Sequence, residues 1–373
     1  SQNILKKNKK FKKIIEDASH AYKDQIISLF MLFPILSSGG IFITEELDFP
    51  DTRADMNLNN EKPTLRDILL SIKSGKNFEN PLISKDQKDY FLKNFDKIFI
   101  LKGNHNEIAI IKKKWKKKIV VTGGSGRFGQ CLKNFKTNHK ILFPTKKELD
   151  ILKFSSVEKY LKKNKPNILI HLAGLSRPMK VHEKNIIKSI DLNIIGTANI
   201  TKVCSELSIK LIYFSTNYVY PGTKGNYKET DPLLPVNNYA WSKLGGESSV
   251  QLYKNSLILR VSMTEKPFIH KKAFANVKSS FIYHEDVRKF LFKLLNKKGI
   301  LNIGGKAQYI YNFAKKSNKK VKREYLKKNS NHNIPFNSSL NILNLNKFLK
   351  KKTNNWLKIW MEKLRIFCIT NKE

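Results

Sequence analysis

Ile119-Val120-Val121-Thr122-Gly123-Gly124-Ser125-Gly126-Arg127-Phe128-Gly129 is the stretch whose reading decides the fold. Three β-branched apolar residues in a row make a short buried strand. The strand runs straight into glycines at 123, 126 and 129, and a helix over residues 130–135 is predicted to follow. That spacing answers three physical demands. The turn is tight, the backbone must approach a pyrophosphate closely, and the helix must pack against the strand it left. Free N–H groups at the helix start then face the anion.

Working outward, strand-like runs alternate with helical periods. A second strand is expected over residues 140–143 and a helix over 156–163. A third strand over 167–172 ends in Ala173-Gly174, small enough for a cofactor to lie against the backbone. A further strand covers 210–214. Such alternation predicts an α/β chain with a Rossmann-type, doubly wound parallel sheet. The second strand leads into Pro144, Thr145, Lys146 and Lys147, not into an acid. Two ammonium groups there suit a 2′-phosphate, a lean towards NADP(H) that leaves NAD(H) open.

Tyr239 and Lys243 stand four residues apart, one face of a helix. A free phenol, with a pKa of about 10, is a poor acid–base group at neutral pH. A neighbouring ammonium is expected to bring it closer to the working range. A hydroxyl at the end of the neighbouring strand, which runs into Ser215 and Thr216, can hold a reacting oxygen. The set suits hydride transfer between a nicotinamide and a carbonyl or alcohol.

The chain has 373 residues, 40% of them hydrophobic, enough for more than one core. Its formal net charge is +41, yet only 8 of its 71 cationic side chains are Arg, the residue suited to bidentate phosphate reading. The charge alone is therefore poor support for a nucleic-acid partner. The three cysteines, Cys131, Cys204 and Cys368, form no CxxC pair, which fits a reducing cytoplasm. The apolar stretch over 26–43 is broken by Pro34, Gly39 and Gly40. It reads as helix, turn and strand, not as a membrane span.

The run KKKWKKK over residues 112–118 reads as a solvated linker. It divides a first domain, 1–115, from the dinucleotide domain, 116–373. In the first, a strand at 13–15 leads to Asp17 and His20, and a helix over 23–36 follows. A second strand at 41–43 leads to Glu45 and Glu46. Helices over 64–72 and 85–93 and strands over 97–101 and 107–111 complete it. Carboxylates gathered at two strand ends are costly unless a hard cation or hydrogen-bond donors satisfy them. An Mg²⁺-type site and plain solvent exposure both answer that demand. Residues 327–339 read as a loop, and Trp356, Trp360 and Leu364 as packing residues of a terminal helix.

Residues 118–350 resemble the extended branch of the short-chain dehydrogenase/reductase superfamily, and within it the dTDP-4-dehydrorhamnose reductase family. The segments that carry this are TGGSGRFGQ (122–130), ELDI (148–151), HLAG (171–174), DLNIIGT (191–197), FSTNYVYPG (214–222), YAWSKLGGE (239–247), LILRVS (257–262), YHEDVRKFL (283–291) and GILNIGG (299–305). The resemblance implies that Gly123, Gly126 and Gly129, with Arg127 and Phe128, hold the dinucleotide. It places Asp150 near the adenine and Ala173 and Gly174 against the cofactor. Thr216, with Ser215, bonds the reacting oxygen. Tyr239 is the general acid, Lys243 anchors the nicotinamide ribose, and Arg260 opens the segment leading to the substrate side. The chain departs from the family pattern at Asn217, where an Asp is usual. It is also short between Ser262 and Ser279.

Residues 11–114 resemble the C-terminal half of class I S-adenosylmethionine methyltransferases, most of all the metal-dependent sugar O-methyltransferases. That resemblance implies Asp17, Glu45 and Glu46 as metal ligands and His20 as a base. Mg²⁺ and S-adenosylmethionine come into play only with an upstream half. The expectation is that this chain, which opens on Ser1, is part of a longer methyltransferase–reductase fusion.

The leading expectation is NAD(P)-dependent reduction of a 4-keto group on a nucleotide-linked sugar, by a protein free of membrane and compatible with a homodimer. The alternatives are an epimerase or dehydratase that returns its hydride, and a non-catalytic NAD(P)-binding interaction protein.

Overall fold

The computed structural model describes residues 10–327 and 334–350. The chain divides into two compact units. One runs to Lys117 and takes in Thr137–Lys140; the other comprises Lys118–Lys136 and the chain from Ile141 onward. Trp356, Trp360, Leu364 and Cys368 lie outside the described residues, as does part of the expected loop at 327–339.

The first unit is a four-stranded sheet carrying helices. Its strands are β1 (Phe11–Glu16), β2 (Leu36–Thr44), β3 (Phe95–Lys102) and β4 (Glu107–Lys113), in the order β1-β2-β4-β3. β1 and β2 are parallel, and β4 is antiparallel to both its neighbours. The helices are α1 (Tyr22–Leu32), α2 (Leu65–Lys73) and α3 (Lys85–Asn94). Thr64 and Ser84 start α2 and α3, each with a reciprocal capping box. Ile26, Leu29 and Phe30 of α1 pack with Leu65, Ile68 and Leu69 of α2 and Phe91 of α3.

Two expectations fail here, one for a local and one for a tertiary reason. The helix predicted over 23–36 stops at Leu32 and tightens into a 3₁₀ turn, Phe33–Ile35, because Pro34 has no N–H to continue it. The KKKWKKK run is not a solvated linker throughout. Lys112 and Lys113 belong to β4, and Lys113 is buried. Its ammonium donates to the carbonyls of Phe33 (2.9 Å), Pro34 (2.9 Å) and Leu36 (3.0 Å), which line the turn from α1 into β2. Burial, with Lys10 and Lys116 nearby, lowers the Lys113 ammonium to about 8.

The second unit is built on a six-stranded sheet: β5 (Lys118–Thr122), β6 (Lys140–Leu142), β7 (Ile168–His171), β8 (Lys210–Thr216), β9 (Ser256–Val261) and β10 (Gly299–Ile303). Their order is β10-β9-β8-β7-β5-β6, and β5 and β7 to β10 run parallel. The helices α4 (Arg127–Lys133), α5 (Phe154–Asn164), α6 (Gly196–Glu206), α7 (Asn238–Gln251), α8 (His284–Leu291) and α9 (Leu343–Lys350) belong to this unit. Alternate residues of each strand enter different cores. Ile119 and Val121 pack with Phe128, Leu132 and Leu291, while Val120 packs with Val157, Leu161, Ile200 and Val203. Both faces are therefore covered, as a parallel sheet requires. A smaller cluster around Phe268, Val277, Ile310, Phe313 and Val321 forms the C-terminal lobe. Cys131 and Cys204 are free thiols. Among the described residues no helix is long and apolar enough to cross a membrane.

Candidate active site

The glycine turn is shaped by contacts that leave no room for side chains. Gly123 has φ +72°, and a Cβ there would stand 2.6 Å from the Ala173 nitrogen. A Cβ on Gly129 would stand 2.5 Å from the Gly123 carbonyl oxygen. The turn thus closes only with hydrogen at both positions. It opens onto a cleft of about 960 Å³ at the C-terminal ends of β5, β7 and β8, where open parallel sheets bind their ligands. Gly123, Gly126, Arg127, Phe128, Gly129, Asp150, Ala173, Gly174, Thr216, Tyr239 and Lys243 all line it.

The ends of β5 and β7 are pegged from below. His171 lies 2.8 Å from the Thr122 hydroxyl through Nδ1 and 3.1 Å from the Thr197 hydroxyl through Nε2. Burial, with a smaller contribution from Lys243, pushes His171 down to about 3, so it is a neutral hydrogen-bonding post. Asn193 links the loop after β7 to α7: its amide donates to Leu175 O (2.9 Å) and Ser242 Oγ (2.8 Å).

Asn237 caps α7 by accepting from the Ala240 N–H, and the helix carries Tyr239 and Lys243 one turn apart. Burial pushes the Tyr239 phenol above its ordinary value, and a hydrogen bond with Thr216 and the Arg177 charge act against that rise. The charge that opposes the rise is that of Arg177. Lys243 is buried, which pushes its own ammonium down to about 7, with Glu247 opposing the shift. Its Nζ lies 4.2 Å from the centre of the Tyr213 ring.

Ser215 differs from its expected role. Its hydroxyl donates to Glu247 at 2.6 Å and so holds a buried carboxylate. Asn217 has a structural reason to depart from Asp. Its amide donates to Ser338 O (3.1 Å) and Oγ (2.9 Å), and a carboxylate could not donate to that carbonyl.

The sequence reading missed an ionic cluster in the same cleft. Arg127 Nε is 2.9 Å and Arg177 Nη1 3.6 Å from the Glu265 carboxylate. Arg177 stands three residues beyond Gly174, a strand-end position that could have flagged it; nothing local flags Glu265.

The dinucleotide fits the site by its chemistry. Bare glycine backbone forms the turn, and Lys133, Thr145 and Lys146 line the cleft near the end of β6. Lys147 is not among the lining residues.

The acidic group of the first unit is a different matter. Asp17, His20, Glu45 and Glu46 do gather at the ends of β1 and β2, but His20 fills the centre. Its Nε2 lies 3.0 Å from Glu46 and 3.7 Å from Asp17. Among the described residues no group of three or more His, Cys, Asp or Glu is arranged to hold a metal ion. Of the expected metal ligands Asp17, Glu45 and Glu46, Asp17 and Glu46 lie against the His20 ring instead of around a shared centre. Burial and the neighbouring acids Asp17 and Glu46 raise Glu45.

Fold and cleft together define a Rossmann-type α/β unit. Within it, residues 117–277 match the family described as RmlD substrate binding domain. The dTDP-4-dehydrorhamnose reductase of Bacillus anthracis, solved in complex with NADP, superposes with a TM-score of 0.57 at 23% identity, over 62% of this chain and 92% of that one. Its Clostridium acetobutylicum counterpart gives 0.56 at 21% identity, over 66% and 99%. Among curated proteins, methionine adenosyltransferase 2 subunit beta of Xenopus laevis is 31% identical over 155 residues, 39% of this chain and 46% of that protein. The dTDP-4-dehydrorhamnose reductase of Aggregatibacter actinomycetemcomitans is 29% identical over 152 residues, 39% and 51%. The chain spans about half the length of these curated relatives.

Proposed function

We propose that the second unit is an NAD(P)-dependent oxidoreductase that reduces a keto group on a nucleotide-linked sugar. The observation that carries this reading is the meeting of Thr216, Tyr239 and Lys243 with the glycine turn in one cleft. A bound nicotinamide would supply the hydride. Gly123, Gly126 and Gly129 would hold the dinucleotide, with Lys133 and Lys146 suited to a 2′-phosphate. Tyr239, raised by burial, keeps its proton at neutral pH and is ready to give it to the carbonyl oxygen. Thr216 holds that proton donor in line. The Lys243 ammonium stabilises the phenolate left behind.

The names of the structural and curated dTDP-4-dehydrorhamnose reductases support this substrate class. The test is to incubate the protein with NADPH or NADH and a panel of nucleotide 4-keto-sugars and follow products by mass spectrometry. Consumption of NADPH with a product two mass units heavier supports the reading. Conversion without net consumption points to an epimerase or dehydratase.

A second reading has its own support. Several similar curated proteins are named as a subunit of a larger enzyme, methionine adenosyltransferase 2, and the segment between Ser262 and Ser279 is short. On that reading the cleft binds NAD(P) without turning over. Tight binding with no redox on any sugar of the panel would favour it.

The first unit is read as methyltransferase-like, its parallel β1–β2 pair and antiparallel β3–β4 hairpin being compatible with that half of such a fold. A cytoplasmic setting and a homodimer complete the proposal.

A further inference from the structure

Behind the cleft lies an ion pair that none of the roles above uses. Arg260 of β9 and Glu247 of α7 are 2% and 0% exposed. Arg260 donates to Glu247 through Nη2 (2.6 Å) and Nε (3.1 Å). The same carboxylate accepts from Ser215 of β8 at 2.6 Å and from Gln251 at 3.3 Å. The other end of the guanidinium donates to Tyr220 Oη (2.8 Å) and Glu229 O (2.9 Å), and Tyr220 donates on to Asn302 of β10 at 3.0 Å.

Stability alone is a poor reason for such a pair, since burying two charges costs about as much as their attraction returns. Its placement is more telling. Tyr239, Lys243 and Glu247 follow one another at four-residue steps, so all three lie on one face of α7. Ser215 directly precedes Thr216. One carboxylate therefore ties the helix that carries the phenol and ammonium to the strand end that carries the hydroxyl, and Arg260 fixes that carboxylate against β9.

We propose that Glu247 and Arg260 are positioning residues that set the distance between Thr216 and the Tyr239–Lys243 face, a role that rests on the function proposed above. The groups that face Lys243 are Tyr213 of β8, whose ring lies under its Nζ, His171 of β7, which is neutral, and Glu247. Glu247 is the one anion among them, and it opposes the burial that pulls Lys243 down.

The test compares the full chain with Glu247→Gln and Ser215→Ala. Lys243 is titrated by pH-dependent competitive acylation read by peptide mass spectrometry, which needs no turnover. Its midpoint, near pH 7 in the parent, is expected to fall by about one pH unit in Glu247→Gln. It should stay put in Ser215→Ala. In Ser215→Ala, kcat on the accepted sugar is expected to fall about tenfold, with KM unchanged. A Lys243 midpoint that does not move in Glu247→Gln, or undiminished kcat in Ser215→Ala, overturns the inference. Should Glu247→Gln fail to fold by circular dichroism, Ser215→Ala decides alone. A parent that binds no NADPH by fluorescence defeats the proposed function, whereas the Lys243 titration still reports on Glu247.

Discussion

Both units bring acids, hydroxyls and a histidine to the ends of parallel strands, and they use them in opposite ways. At the ends of β1 and β2 the groups turn on one another without being satisfied: His20 Nε2 pairs with Glu46 and Asp17, while His20 Nδ1 and the Thr44 hydroxyl are buried with no hydrogen-bond partner. At the ends of β5, β7 and β8 the satisfied groups lie below the floor, where His171 joins two threonines and Glu247 joins Ser215 and Arg260. That leaves Thr216, Tyr239 and Lys243 to face the cleft. The difference teaches that clustered chemistry is not enough. A site needs a second layer that takes up the hydrogen bonds its own residues would otherwise spend on each other.

The contrast breaks most sharply at Tyr239. Tyr239→Phe is expected to lower turnover by about 10²–10⁴-fold, the usual worth of a positioned general acid, with NADPH binding retained. Equal rates in mutant and parent would remove Tyr239 from its role. Next comes the turn. Gly129→Val places a side chain where even a Cβ would meet the Gly123 carbonyl at 2.5 Å. Loss of NADPH binding, read by fluorescence titration, is expected, and unchanged affinity would show that the dinucleotide lies elsewhere.

The buried layer should declare itself in pH. His171 is held near 3 in the folded chain, below its unfolded value of about 6.5, so the unfolded state binds the extra proton as pH falls. Its contribution to stability is complete above pH 6.5 and is lost progressively as pH falls from there towards 3. Between pH 6.5 and 5 that loss is about 2 kcal/mol, and His171→Asn should flatten this part of the stability profile. A slope identical in both proteins would contradict the neutral post.

The first unit should respond weakly. Thr64→Ala removes the capping box of α2 and is expected to cost about 1 kcal/mol by denaturant unfolding. The smallest effect expected is none: millimolar Mg²⁺ should leave Tm unchanged. A rise of several degrees, abolished by Glu46→Gln, would restore a cation to the place His20 now fills.

Much of this was legible beforehand. The strand–turn–helix at 119–133 and the helical step from Tyr239 to Lys243 are local patterns, and local patterns survive folding. Asp17 and Glu46 were also rightly brought together, because strand ends of a parallel pair must neighbour each other. What they do there was not legible, since it depends on where the His20 ring turns. Glu265, fixed against Arg127 and Arg177, left no signal, because its partners lie far away in sequence. Lys113 looked like any other lysine of its run until the turn from α1 into β2 offered it three carbonyls.

The sequence by itself determined the order of strands and helices, the glycine turn and the residues eligible for proton transfer, because backbone sterics and hydrophobic period act within a few residues. The tertiary structure alone decided which eligible groups face open space and which are spent on neighbours. Burial and charge pairing, the forces that move Tyr239, Lys243 and His171, arise only when distant segments exclude water together.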